Sequence, residues 1–389
     1  MRKQVLLNVI IFVTLLMAIG VNVYNRGREK VAAFVGGTEL QSIAPEADSF
    51  RKKEEPFLYY EIYKKNRLIG YCFNTKDVAP EKKGHVGPIE MLVALDRNHR
   101  IENLKVLRHT ETAKYADRIR NTEFLDQFKG KGPKDAFIVG KDIHGITHAT
   151  ISTRGVASTL KTSTHKMQAI IHGVEDIASQ ATALDLDKDF YITIFIITFL
   201  LIAFYLKAEL LRQIGLASSI VYFGFIKANF ISMSNLGSIF LWNLPDLSSN
   251  VSWFVFIFSG LVLTFLLGAF YCSYMCPFGA LQIFLGKIFK FNIKITSALA
   301  GNLRKIKFFL LWALSFLVLT LNNSNSANYE PFSTVFLRRG SVVAWSIVLI
   351  ILVLSLFHHR PFCNYFCASG AFLEMTSKLG RRIFKRRRK

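Results

Sequence analysis

Tyr271-Cys272-Ser273-Tyr274-Met275-Cys276-Pro277-Phe278-Gly279-Ala280 and Phe362-Cys363-Asn364-Tyr365-Phe366-Cys367-Ala368-Ser369-Gly370-Ala371 are two copies of one pattern, with Cys, Tyr, Cys, Gly and Ala recurring in register. Each copy follows an apolar run, Trp253–Tyr271 and Val342–Phe357. Further runs lie at Val5–Val23, Phe190–Tyr205 and Phe308–Leu321, and a weaker one at Leu216–Met233 is interrupted by Lys227 and Asn229. With their flanks these runs suit the roughly 30 Å of a bilayer's hydrocarbon, so the pattern predicts six transmembrane helices. The 51% hydrophobic content and 35 Phe exceed what one soluble core requires.

A formal charge of +22 over 389 residues could mark a nucleic-acid binder, but the basic residues border the apolar runs. With Arg2 and Lys3 cytoplasmic, six spans bring Lys207, Arg212, Lys287, Lys290, Lys294, Arg304, Lys305 and the tail Arg381 to Lys389 to the same side. The outer loop Asn243–Asn250 has no Lys or Arg, whereas the other outer loop carries Arg338 and Arg339. This positive-inside pattern predicts an N-in, C-in topology with both cysteine copies at the cytoplasmic edge. Parallel repeats place like groups at like depth. The first run reads as an uncleaved anchor, because no small-x-small site closes it. The basic tail fixes topology and also suits anionic headgroups.

The expected division is a transmembrane anchor 1–24, an extracytoplasmic α+β domain 25–186, a five-helix all-α membrane domain 187–376 and a basic tail 377–389. Within the second region Pro45–Glu55 reads as a linker. Phe57–Tyr63 with Leu68–Phe73, and Ile89–Leu95 with Ile101–Leu107, read as hairpins closed by Lys-Lys-Asn-Arg and Asp-Arg-Asn-His turns. Thr112–Arg120 and Thr122–Lys129 read as short helices. Arg154–Ala178 has the apolar spacing of a longer one.

Four of the five cysteines sit in the C-x-x-x-C pairs. On a helix this spacing puts both sulfurs on one face. Two such faces together offer four thiolates, the complement of one iron–sulfur cluster and equally of zinc. A disulfide is disfavoured on the reducing side of a membrane. Cys72, alone among apolar residues, reads as a small buried hydrophobe. His165 and His172 read as a solvated helix face, and His358 and His359 as interfacial anchors. The sequence has no mid-membrane histidine pair for a b-type haem.

Thr147-His148-Ala149-Thr150-Ile151-Ser152-Thr153 opens the long helix. Free N–H groups at a helix start suit a phosphate, although Ser and Thr clusters there also serve as caps.

The ordered series Gly70-Tyr71, Gly87-Pro88-Ile89, His109-Thr110-Glu111-Thr112, Phe124-Leu125-Asp126-Gln127-Phe128 and Thr147–Thr153 resembles the FMN-binding domain of Rnf and Nqr flavin subunits and of NosR. The membrane half resembles the NosR/NirI type, whose C-x-x-x-C-Pro motif matches Cys272–Pro277 and, less closely, Cys363–Ala368. The C-type accessory proteins of reductive dehalogenases share this architecture. The resemblance implies FMN at Thr147, Ala149, Thr150, Ser152 and Thr153, with Ser152 at the phosphoester position and His109, Glu111 and Thr112 nearby. The company of a flavin favours iron–sulfur over zinc, hence a 4Fe–4S cluster on Cys272, Cys276, Cys363 and Cys367.

His148 stands where the family has Gly, and Ser152 where Thr is commoner, so covalent and noncovalent FMN both stay open. The chain ends soon after the second pair, without a two-cluster ferredoxin module. The implied function is electron transfer in a bacterial cytoplasmic membrane, from a cytoplasmic or quinol donor to an extracytoplasmic redox enzyme, with no nucleic-acid partner. A redox-sensing regulatory or maturation protein is the alternative, and a membrane zinc protein a third.

Overall fold

The computed structural model describes residues 11, 13–23, 36–84, 87–109, 118–146, 150–172, 186–288, 293, 296–338 and 340–386. The chain divides into two units, one of Val23–Leu184 with Leu241–Ser249, the other of Met1–Asn22, Asp185–Phe240 and Asn250–Lys389.

In the first unit β1 (Ser49–Lys53), β2 (Tyr59–Lys64), β3 (Arg67–Asn74), β4 (Ile89–Asp96) and β5 (Ile101–His109) form an antiparallel meander in chain order. Both expected hairpins are present. Lys65 and Asn66 take φ of 47° and 62°, a left-handed pair whose turn matches the twist of β2 and β3. Between β4 and β5, Asp96 Oδ1 accepts the N–H groups of Asn98 at 2.7 Å and Arg100 at 2.8 Å. Such a local side-chain bond fixes a turn without a glycine.

The central strands are buried on both faces, because alternate residues serve two cores. Phe73, Met91, Val93 and Leu95 join a core with Val156, Leu160 and Met167 of the helix Thr150–His172. Cys72, Leu92 and Ala94 join another with Leu40 and Ile43 of the helix Gly37–Ile43. The unit is α+β, as expected.

Two boundaries are corrected. Pro45–Glu55 is not a plain linker, since β1 within it pairs with β2 from Ser49 opposite Tyr63 to Lys53 opposite Tyr59. This edge strand is charged, with Phe50 its single half-buried residue, so it lacks an apolar alternation. The long helix already includes Thr150–Thr153, ahead of the expected start at Arg154. Residues 173–178 of that expected helix, and 112–117 of the short one, lie outside the described residues. The other short helix runs Thr122–Asp126, capped by Asn121, which accepts Glu123 N–H at 3.1 Å.

In the helical unit, Lys188–Leu206 is long and apolar enough to cross a membrane unaided, while Val13–Val23, Val251–Leu267 and Val342–Phe357 are shorter apolar helices. The run Leu216–Met233 is not one helix. Glu209–Ser218 continues as a π-helical stretch to Ile226, Ala228 turns left-handed at φ 51°, and a short helix follows at Met233–Phe240. Lys227 leaves the helical line to pair with Asp189.

The helix Ser297–Leu321 is likewise followed by short turns, Ser324–Ala327 and Phe332–Leu337. The two broken segments meet. Ser238 Oγ lies 3.0 Å from Ser324 Oγ, and Met233 N–H donates to Glu330 Oε2 at 2.8 Å. The repeat therefore extends well beyond the cysteines. Its halves are exchanged, with Val251–Leu267 packing on Ala368–Arg386, and Pro277–Ile288 on Val342–Phe357. Gly380 permits the first contact, because a Cβ there would stand 1.9 Å from Phe265 O.

Candidate functional site

The two cysteine pairs do not lie on regular helix faces, contrary to the spacing argument. Cys272 belongs to a π-helical turn, Tyr271–Met275, and Cys276 follows it with extended backbone, ψ 115°. Cys363 belongs to the single turn Pro361–Tyr365, which ends before Cys367. Cys276 and Cys367 instead precede the helices Pro277–Ile288 and Ala368–Arg386. Each occupies the position of an N-cap. Gly279 N–H donates to Cys276 Sγ at 3.4 Å and Gly370 N–H to Cys367 Sγ at 3.2 Å, three residues on in both cases. Pro277 suits the first helical position because its missing N–H would have no acceptor there. Burial pushes both thiols up, and the helix starts work against it by favouring the thiolate.

All four cysteines line one cavity of about 280 Å³. Its walls are cationic. Arg360, left-handed at φ 53° ahead of Pro361, donates to Cys272 O, and its buried Nε has no hydrogen-bond partner. Glu374 gathers Lys307 at 2.7 Å, Lys378 at 2.8 Å and Arg304 at 2.9 Å. These three attractions outweigh burial, which acts the other way, and hold the Glu374 carboxyl down to about 2. Gln282, from the helix after the first pair, donates Nε2 to Cys363 Sγ at 3.1 Å.

This arrangement can be tested against an iron–sulfur cluster by charge. Among the described residues Arg360 has no carboxylate partner, and a partly buried cation without a counter-charge is unfavourable. Four thiolates around an inorganic core would supply the missing negative charge, and three of the four sulfurs already accept hydrogen bonds. The residues fit. A single ion fits less well, because among the described residues no three His, Cys, Asp or Glu side chains are gathered closely enough to hold one.

In the other unit Ser152 and Thr153 are buried near the described start of the helix Thr150–His172. Thr153 Oγ1 accepts Ile146 N–H at 3.4 Å. Gly155 lets this turn approach the preceding loop, since a Cβ there would lie 2.7 Å from Gly84 Cα. A close-packed helix start with an enclosed hydroxyl fits a flavin phosphate, esterified or hydrogen-bonded. His109 ends β5 half-buried, opposite Ile89. Thr147, His148, Ala149, Glu111 and Thr112 lie outside the described residues, as does the side chain of Thr150.

Sequence reasoning did not single out Arg154, which donates to Ser249 O at 2.8 Å, or Lys82, which pairs with Asp246 at 3.3 Å. It also passed over Gln282, Arg360, Lys307 and Glu374. Cys72 is fully buried, and burial pushes its thiol up to about 12, in keeping with a packing role.

The family model of an FMN-binding domain matches residues 84–165, a span that contains Ser152. That of a 4Fe–4S binding domain matches residues 249–296 and 342–387, each containing one cysteine pair. The chain is similar to a component of the proton-translocating ferredoxin:NAD(+) oxidoreductase complex of Clostridium ljungdahlii, 29% identical over 140 residues, covering 34% of this chain and 72% of that protein. It is similar to the regulatory protein NosR of Pseudomonas aeruginosa, 30% identical over 186 residues, 43% of this chain and 26% of NosR. Protein NirI of Paracoccus denitrificans is 33% identical over 120 residues, 28% of this chain and 17% of NirI. The chain thus spans about a quarter or less of NosR and NirI.

The two domains define an electron-transport flavoprotein that carries FMN and an iron–sulfur cluster. Within that class, the pairing of the two domains and the NosR and NirI relatives support a flavoprotein of the NosR/NirI type.

Proposed function

We propose that the chain is a membrane electron-transfer component that relays electrons between a cytoplasmic or quinol donor and an extracytoplasmic redox enzyme. Cys272, Cys276, Cys363 and Cys367 hold a 4Fe–4S cluster, and Ser152 with Thr147, Ala149, Thr150 and Thr153 binds FMN, with His109, Glu111 and Thr112 beside it. The observation that carries this reading is the single cavity in which four cysteines meet the guanidinium of Arg360, which has no carboxylate partner among the described residues. When bound, FMN exchanges one or two electrons and the cluster one. The protein's own groups hold these charges. The N–H groups of Gly279 and Gly370 at two helix starts donate to the sulfurs of Cys276 and Cys367, Arg360 and Lys307 offset the negative centre, and the first turn of Thr150–His172 receives the phosphate.

The proposed topology has six spans, with both termini and the cysteines inside and the flavin domain outside, in a bacterial cytoplasmic membrane. The basic residues that border the apolar runs support it. The loop Leu241–Ser249, which has no Lys or Arg, is part of the flavin unit. The divisions at residues 24, 186 and 376 follow from the same topology. About 30 Å of hydrocarbon separates the two faces, so a further carrier or a partner protein completes the path.

Absorption spectra of anaerobically purified protein, with in-gel flavin fluorescence after denaturation, test the cofactor sites. Fluorescence that persists in the wild type and vanishes in Ser152→Ala fixes the attachment point. Sealed vesicles with a reductant trapped inside test the relay. If an external acceptor stays oxidised while the flavin is loaded, the relay is wrong. The second reading, a redox-sensing regulator, is favoured by the regulatory name of the relative NosR, and that vesicle result would support it.

A further inference from the structure

We propose that Gln282 sets the reduction potential of the cysteine-held centre and makes its two halves unequal. The inference rests on the assignment of the four cysteines as ligands in the proposed function.

Gln282 is fully buried in the helix Pro277–Ile288. Its Nε2 donates to Cys363 Sγ at 3.1 Å, while its Oε1 has no partner. A carboxamide half-satisfied in a closed interior is costly, so packing alone would favour an apolar residue of the same volume. The bond crosses the repeat, from the helix that follows the first cysteine pair to a cysteine of the second.

The repeat itself shows what is special about this position. Gln282 stands ten residues after Cys272, and the residue in the same register after Cys363 is Leu373. Leu373 is buried and lines the same cavity, but it has nothing to donate. The reciprocal bond, from the second half to Cys272, is therefore missing. Cys276 and Cys367 each accept a backbone N–H, Cys363 accepts Gln282, and among the described residues no hydrogen bond reaches Cys272 Sγ. Arg360 meets Cys272 at its carbonyl oxygen instead, and its side chain adds to the hydrogen bonding at Cys363.

Donors to a ligating sulfur draw electron density from it and stabilise the more negative, reduced state of the centre, which raises its potential. The carboxamide does this on one side only. In a bound centre, added negative charge would be better tolerated beside Cys363 than beside Cys272.

The experiment uses the full chain, purified anaerobically in detergent, and titrates it with dithionite and mediators under EPR detection. Gln282→Met keeps the side-chain volume and removes the donor, and Leu373→Gln supplies the absent one. Gln282→Met with wild-type iron shows a lower midpoint, Leu373→Gln a higher one, and the flavin midpoint stays put in both. An unchanged midpoint in Gln282→Met at full iron content overturns the inference and leaves Gln282 a packing residue. If Gln282→Met fails to load iron, Leu373→Gln decides, and an unchanged midpoint there overturns the inference. Wild-type protein without iron removes both the ligand assignment and this inference, whereas iron with an unmoved midpoint removes the inference alone.

Discussion

Gly370 donates its backbone N–H to Cys367 Sγ at 3.2 Å, so the sulfur proposed as a cluster ligand is also the cap of the helix Ala368–Arg386. The two roles separate by substitution. Cys367→Ser keeps an oxygen that can cap, so this variant stays folded with depleted iron. Cys367→Ala loses both, and unfolds with a further loss of about 1 kcal/mol, typical of an N-cap deletion. Iron analysis and thermal unfolding in detergent check the pair. Full iron in Cys367→Ala would rule out ligation by this residue.

Among the described residues Glu374 is the single carboxylate paired with Arg304, Lys307 and Lys378 at the cavity wall, and Lys307 is nearly enclosed, with its side chain 6% exposed. Glu374→Gln strands that ammonium. Removing one partner of a buried pair costs roughly 3–5 kcal/mol. The expected result is a clearly lower melting temperature, together with partial recovery in the double variant Glu374→Gln, Lys307→Met. No recovery would mean that Lys307 is not what Glu374 stabilises.

Much of this was legible in the sequence, for reasons that differ from residue to residue. Lys65-Asn66 and Asp96–His99 are turn chemistry written locally, and both hairpins follow from them. The cysteine repeat was legible because its two copies recur as identical letters. Their local geometry was not, since i, i+4 spacing suggests a helix face and the structure uses a π-turn and two caps. The strand β1 was hidden by its charge, and the break after Ile226 by the apolar residues on either side of it. Gln282 and Arg360 act through tertiary placement, and the sole trace of Gln282 is its mismatch with Leu373 when the repeat is extended past the cysteines.

Asp142 offers a pH test in the flavin unit. Burial would raise its pKa, but the Lys131 ammonium at 3.0 Å and the N–H groups of Ile138 at 2.6 Å and Phe137 at 3.0 Å together lower it. A carboxylate lowered in the folded state adds stability that is complete above its unfolded value, about 3.9, and is lost as pH falls through the folded value. Thermal release of FMN should therefore occur at a lower temperature in Asp142→Asn than in wild type at pH 7. The difference should shrink as the pH is taken below about 4. A difference that is constant with pH would contradict the charge assignment.

Gly155 tests how the flavin phosphate is held. A Cβ there would stand 2.7 Å from Gly84 Cα and 2.9 Å from Lys83 O, which are backbone atoms that no rotamer change can move aside. In Gly155→Ala the first turn of Thr150–His172 must shift away from that loop, at a cost of about 1–3 kcal/mol, typical of overpacking. Ser152 and Thr153 shift with it. The expected outcome is a lower melting temperature and loss of most bound FMN. Iron remains at the wild-type level, because all four paired cysteines belong to the other unit. Flavin retained in full at an unchanged melting temperature would show that the approach of helix and loop is not what shapes the site.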